Sequence, residues 1–179
     1  MKPNKLISGD NNRLIILLMT FSLLGYAQDT FPRTISKHSV YLEIGGLGGF
    51  GSINYENKIV LKNKFSLGIR CGFSTVHIVD FTRKFNPDLI FPVSVQLLYG
   101  LKHCIEVGVG QTLSNFPAVE LEKSPIHTRI TNFSTTFTAG YRFIHQKTGI
   151  FFRCGYTPII ENNKYYKHWG GVSIGYAFK

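Results

Sequence analysis

The sequence predicts an all-β protein: an eight-stranded antiparallel up-and-down transmembrane β-barrel with a cleaved N-terminal signal peptide. Three observations predict it. After Ser39, apolar and polar residues alternate with period two in stretch after stretch, and helical periodicity is almost absent. The polar half of that alternation is mostly Gly, Ser, Thr and Ala, where a solvated outer face would carry Lys, Glu, Asp and Gln. Short and long connections alternate, as they do in a barrel with tight turns at one end and loops at the other.

The 179 residues are enough for one domain. Residues 1–27 read as the signal peptide. Lys2, Lys5 and Arg13 precede a twelve-residue apolar run from Leu14 to Gly25, and Gly25 and Ala27 flank Tyr26 as small residues flank a cleavage site. That run is too short to cross a hydrocarbon core of about 30 Å, which takes roughly 20 residues. No later run is long enough either, so the exported chain is soluble or a barrel. Residues 28–38 are an N-terminal periplasmic segment, and 39–179 form the barrel.

Strands are expected at 39–45, 51–57, 65–74, 90–99, 105–110, 133–143, 150–157 and 171–178. The clearest is 133–143, where Phe133, Thr135, Phe137, Ala139, Tyr141 and Phe143 alternate with Ser134, Thr136, Thr138, Gly140 and Arg142. Short turns fall at 58–64, 100–103 and 145–149. Variable loops fall at 46–50, 75–89, 114–131 and 160–168, and Pro87, Pro117 and Pro125 mark two of them as irregular.

A soluble barrel also alternates, so the polar set decides. Small residues suit the narrow interior that about eight strands enclose. The apolar set is rich in Phe, Tyr and β-branched residues and carries no Lys or Arg in the well-patterned strands. A charge there, near a bilayer midplane, costs roughly 2–4 kcal/mol. Aromatics gather near strand ends as interfacial girdles do. Tyr41, Tyr55, Tyr99, Tyr141, Phe143, Tyr176 and Phe178 are expected at the short-turn end, and Phe50, Phe73, Phe91, Phe116, Phe133 and Trp169 at the loop end.

The terminal stretch Trp169-Gly-Gly-Val-Ser-Ile-Gly-Tyr-Ala-Phe178, followed by Lys179, resembles the closing strand of the small eight-stranded outer-membrane β-barrels of Gram-negative bacteria, of the OmpA/OmpX type. Val40–Glu56 is similar to the opening hairpin of uncharacterised members. The resemblance spans roughly 38–179. It implies outer-membrane localisation and a closing-strand signal, Trp169, Tyr176 and Phe178, read by the barrel-assembly machinery. Many members have no known activity, so the resemblance implies location more firmly than function, and outer-membrane lipids are the expected partners.

The inward set brings Glu43, Glu56 and Glu106 together with Arg70, Arg142 and Arg153, with Gln96 beside them. Charges enclosed in a packed lumen must pair or cost several kcal/mol each. The expectation is therefore an ion-pair plug in a closed lumen, structural and not catalytic. Two rivals remain: a small passive pore, and a barrel enzyme acting on lipids. For the enzyme, Ser74, His77 and Asp80 near one loop and Glu122, Ser124 and His127 near another are the residues to weigh, though no spacing demands a nucleophile activated by a base.

Gly46-Leu-Gly-Gly-Phe-Gly51 matches a dinucleotide fingerprint, but Ser52-Ile-Asn-Tyr cannot open the helix that would hold a pyrophosphate. Glycines freed for positive φ in a tight loop explain the run better. Cys71, Cys104 and Cys154 are too widely spaced for a metal motif and read as small hydrophobes, with a disulfide possible. Asn132-Phe-Ser134 matches a glycosylation sequon without meaning in a bacterial barrel strand. No cofactor, metal or nucleic-acid partner is expected, and the barrel is expected to be monomeric.

The chain carries a net charge of +10, which invites a nucleic-acid reading. Placing the charges removes it. Without residues 1–27 the chain keeps seventeen bases and nine acids, net +8. The lumen sums to zero and the loops nearly so. The excess falls at the short-turn end, on Lys58, Lys62, Lys64, Lys102, Lys147 and Lys179, beside lipid headgroups.

Overall fold

The computed structural model describes residues 36–62, 64–78, 85–117, 129–161 and 165–179. The expected signal peptide lies outside them. The strands are β1 (His38–Gly45), β2 (Ser52–Lys62), β3 (Phe65–Phe73), β4 (Leu89–Gly100), β5 (His103–Pro117), β6 (Arg129–Ile144), β7 (Ile150–Tyr156), β8 (Ile159–Glu161), β9 (Tyr165–Lys167) and β10 (Gly170–Phe178). Each barrel strand pairs antiparallel with its neighbour, and β7 passes on to β10. β10 then pairs with β1, from His38↔Phe178 to Gly45↔Gly171. The sheet is closed, with β1–β7 and β10 as its eight staves. No edge is left unpaired in the wall, as a barrel crossing lipid requires.

The two remaining strands form a hairpin inside the loop expected at 160–168, with β8 paired to β6 from Ser134↔Glu161. It is separated from β7 by Thr157 and Pro158, and proline has no N–H to give a ladder. Three other strands outrun their expected ends. β5 reaches Pro117 and β6 starts at Arg129, so both run into the stretch expected to be a loop. The polar residues Ser114, Asn115, Thr131 and Asn132 continue the ladder, with Asn115 Nδ2 donating to Thr131 Oγ1 at 2.8 Å, so no apolar alternation signals them. β2 runs to Lys62 through a register shift between Val60 and Lys62, a bulge that scrambles the alternation of Ile59, Val60 and Leu61.

Burial is inverted relative to a soluble protein. Leu42, Ile53, Ile69, Val93, Val95, Val109 and Ile174 are exposed on the outside. Ser39, Asn54, Arg70, Ser94, Gln96, Thr136 and Arg142 are buried inside. A continuous apolar exterior over a polar interior suits hydrocarbon as its solvent. Aromatic pairs flank this band. At the short-turn end His38 stacks between Tyr55 and Phe178, Phe65 meets Tyr99 at 4.8 Å, and His103 lies against Tyr141 and Phe143. At the loop end Phe73 meets Phe91 at 5.4 Å and Phe50 stands edge-on to Trp169 at 6.1 Å.

Two expectations are corrected. Tyr41 is not a girdle residue: it shares the parity of Glu43, and only 2% of it is exposed. Lys58 is not on the rim: with β2 continuing past it, it keeps the inward parity of Asn54 and Glu56 and is 7% exposed.

Val95 faces outward in a central row with Ile69 and Val109. In urea titrations of the barrel folded in lipid vesicles, Val95→Arg should cost about 2–4 kcal/mol and Val95→Leu almost nothing. Equal stability of the two variants would remove hydrocarbon from this face.

Candidate functional site

The chemistry-bearing residues of the chain converge inside the barrel. β-strand parity puts Glu43, Glu56, Arg70, Gln96, Glu106, Arg142 and Arg153 on inward positions, and all are buried. They form one alternating chain: Arg70, Glu43, Arg153, Glu106, Arg142, Glu56. Arg70 bonds the Glu43 carboxylate through Nη2 and, at 3.3 Å, through Nη1. Arg153 Nη1 donates to the same carboxylate at 2.7 Å. The Nε of Arg153 donates to Glu106, which also accepts from Arg142 Nη2 at 2.9 Å. Arg142 then makes a two-pronged bond to Glu56, Nη1 to Oε1 at 2.7 Å and Nη2 to Oε2 at 2.8 Å.

Polar neighbours complete the chain. Asn54 Oδ1 accepts from Arg70 Nε at 3.0 Å and from Nη2 at 2.8 Å. Gln96 Oε1 accepts from Arg142 at 3.5 Å, and the Ser173 hydroxyl donates to Glu43 at 3.4 Å. With these, every one of the eight staves supplies a side chain. Many bonds cross the barrel in preference to following the wall. Glu56 and Arg70 are register partners, yet Glu56 bonds Arg142 from the opposite stave, four strands away. Arg142 and Arg153 are also register partners, and Glu106 separates their like charges.

Three aromatic contacts back the guanidinium groups. Arg142 lies 5.0 Å from the Phe151 ring centre, and Arg70 and Arg153 lie 5.3 and 6.0 Å from that of Tyr41. Tyr41, Phe151 and Ala177 pack together with Ile144 on the short-turn side of the ion pairs. Large inward side chains need small ones opposite. A methyl group at Gly140 would sit 3.1 Å from a Glu106 oxygen and 2.8 Å from the Cys154 carbonyl.

On the loop side, the glycine run does more than turn the chain. Gly46–Gly48 form one 3-10 turn, with φ of 76° at Gly45 and 68° at Gly46, values that favour glycine. The turn folds into the mouth. Leu47 is buried, and its carbonyl accepts from the Thr112 hydroxyl at 2.9 Å, on the stave opposite β1. A side chain at Gly110 would collide with Leu47, and one at Gly46 with the Glu43 carboxylate.

Of the residues weighed for enzymatic chemistry, Ser74 and His77 are described, and they bond different partners. His77 Nδ1 bonds Asp88 at 2.8 Å, whereas the buried Ser74 hydroxyl donates to the Gly51 carbonyl. Asp80, Glu122, Ser124 and His127 lie outside the described residues. Among the described residues no three His, Cys, Asp or Glu side chains group as metal ligands. All three cysteines are free: Cys71 and Cys154 face outward, and Cys104 is buried inside. Of the closing-strand residues, Phe178 faces His38 across the seam, Tyr176 stacks on Phe178, and Trp169 is half-buried at the loop end. Sequence reasoning missed Asn54, Ser173, Lys58 and Leu47. Parity marks Ser173, and parity counted back from Arg70's partner Glu56 marks Asn54.

Removing one partner of a buried ion pair costs about 3–5 kcal/mol, because the other charge stays buried. Arg142→Met, which strands Glu56 and Glu106, should lower the urea midpoint in vesicles by that order. Adding Glu56→Met should recover part of the loss. A double variant no better than the sum of its parts would show that the two do not act together.

No family model matches the chain, and no curated protein matches it in sequence. Among solved structures the chain is similar to the outer membrane protein Ail of Yersinia pestis, whose backbone structure is that of the protein in a phospholipid bilayer nanodisc. The identity is 9%, the alignment covers 80% of this chain and 100% of that one, and the TM-score is 0.49.

Proposed function

We propose that the protein is an outer-membrane β-barrel with a closed, non-conducting lumen, whose role is structural or is exercised through its loops, and that it is not an enzyme. The observation that carries this reading is the ion-pair chain tied to all eight staves. It is flanked by the Leu47 turn at one mouth and by Tyr41, Phe151 and Ala177 toward the other. A passive pore needs a wet path, and this interior is given to paired charge and packed rings. A lipid-modifying site needs an activated nucleophile; Ser74 is buried and bonded to the Gly51 carbonyl, while His77 bonds Asp88. The apolar exterior with its aromatic flanks supports a membrane location. In this reading both ends of the barrel sequence, His38 and Phe178, sit together at the short-turn side, facing the periplasm. The partners are outer-membrane lipids and, during insertion, the assembly machinery, which reads Trp169, Tyr176 and Phe178. The barrel is monomeric and takes no cofactor.

Membrane fractions should contain the protein, and its gel migration should shift on boiling, because a folded barrel resists detergent without heat. Soluble protein with unchanged migration would overturn the location. In planar bilayers the pure protein should give no large steady conductance; a stable open level would overturn the closed lumen.

A further inference from the structure

Among the described residues, six buried side-chain polar atoms have no hydrogen-bond partner in the protein, and four of them fall in one region. These are Thr138 Oγ1, Thr157 Oγ1, Arg153 Nη2 and Trp169 Nε1. On the neighbouring staves β6, β7 and β10, inward positions line up in three rows. Arg142, Arg153 and Ser173 make the first, within the ion-pair layer. Gly140, Gly155 and Gly171 make the second, on its loop side. Past the ends of β7 and β10 the pairing goes on, with Thr157 N donating to Trp169 O at 2.8 Å and Phe137 N to Pro158 O at 3.2 Å. Thr138, Thr157 and Trp169 therefore make the third row, on the same inward parity.

The middle row has no side chains to fill the space between the other two. A methyl group at Gly155 would meet only strand backbone, Ala139 O and Gly140 Cα at 3.3 Å. The Glu106 carboxylate borders the Gly140 end of this recess, and the Gly46 backbone N, 2.6 Å from a methyl built on Gly171, borders the other. Arg153 and Thr157 stand four residues apart, roughly 13 Å along the strand. Their side chains leave that span open, since neither Nη2 nor the hydroxyl finds a partner across it. Thr138, Arg153 and Thr157 are all more than nine-tenths buried.

The chemistry of the four groups names what fits between them. Indole and guanidinium N–H groups only donate, and the two hydroxyls can donate as well. The ligand must therefore accept hydrogen bonds. It needs no negative charge, because Arg153 is already shared by the carboxylates of Glu43 and Glu106. A small neutral acceptor that also donates is water, and buried waters gather where otherwise unpaired polar groups converge. We propose that the recess is a binding site for water, about two molecules bridging Arg153 to Thr138, Thr157 and Trp169. The site deepens the closed-lumen reading and rests on it in one respect: the water is a dead end that stops at the ion-pair layer, with the Tyr41, Phe151 and Ala177 cluster dry beyond it.

The test is solution NMR of the full chain in lipid nanodiscs, reading cross-relaxation from water to assigned protons. The chain has a single tryptophan, so the indole signal is that of Trp169. Water should give cross-peaks to the Trp169 indole proton and to the methyls of Thr138 and Thr157, and none to the Ala177 methyl. Absence of the Thr138 and Thr157 cross-peaks overturns the site. Thr157→Val gives a second reading, by sign. A bridged hydroxyl stabilises, so its loss should lower the urea midpoint in vesicles; a bare buried hydroxyl costs stability, so a raised midpoint overturns the site. A saturable shift of the indole proton with sodium formate also overturns it, in favour of an anion. Planar-bilayer conductance of the same protein separates the two readings. Water in the recess of a steadily conducting barrel sinks the closed lumen alone, and a dry recess in a non-conducting barrel sinks the water site alone.

Discussion

The buried alternation of three guanidinium groups and three carboxylates is the constraint on which the rest of the structure depends. An ion of either sign taken out of water costs several kcal/mol unless a partner and hydrogen bonds replace its hydration. Here each Arg has at least one carboxylate, and Glu43 and Glu106 each hold two Arg. The chain is neutral only when complete. It therefore ties the register of one stave to that of another: a one-residue slip of β3 or β6 would turn Arg70 or Arg142 outward into an apolar surface. The small inward residues follow from the same need, since the ion pairs occupy the width of the lumen.

Above and below this layer the interior changes character. Tyr41 and Phe151 give faces to the arginines and edges to each other, with ring centres 5.6 Å apart. Toward the loops, the glycine turn sets one apolar side chain and one backbone carbonyl across the mouth. Lys58 adds a fourth position to the inward row of β2, after Ser52, Asn54 and Glu56, and brings a further basic group to the interior at its short-turn side. Polar core, aromatic layer and backbone cap are three different ways of filling one narrow cylinder.

Much of this was legible in the sequence. Period two assigns a face to every residue once one is known, so the six charged lumen residues could be chosen by parity alone. Closure of the sheet followed from eight such segments with short turns between alternate pairs. What parity could not supply is partner choice. Glu56 and Arg70 are neighbours in register, yet their bonds go elsewhere, because length and reach decide across a lumen. Strand ends were also hidden. At Ser114, Asn115, Thr131 and Asn132 both faces of β5 and β6 are polar, and apolar alternation lapses while the backbone ladder goes on. Tyr41 was misplaced by residue type, an aromatic near a strand end, when its parity with Glu43 already sent it inward. The inward fold of Gly46–Gly48 had no signal beyond the glycines themselves.

The seam between β1 and β10 has a consequence for how the chain reaches this state. The first stave finds its second neighbour only when the last one exists, so the final ladder joins residues at opposite ends of the barrel sequence. Arg153 reaches Glu43 across 110 positions, and Ser173 reaches it across 130. Such distant contacts are slow to form, since the loop must be closed before they reward it. Arg70 and Glu43, and Arg142 and Glu106, lie on staves joined without the seam, whereas the bonds of Arg153 and Ser173 to Glu43 depend on it. The ladder that closes the wall is thus also the one that brings Arg153 and Ser173 to Glu43 and makes the ion-pair chain continuous.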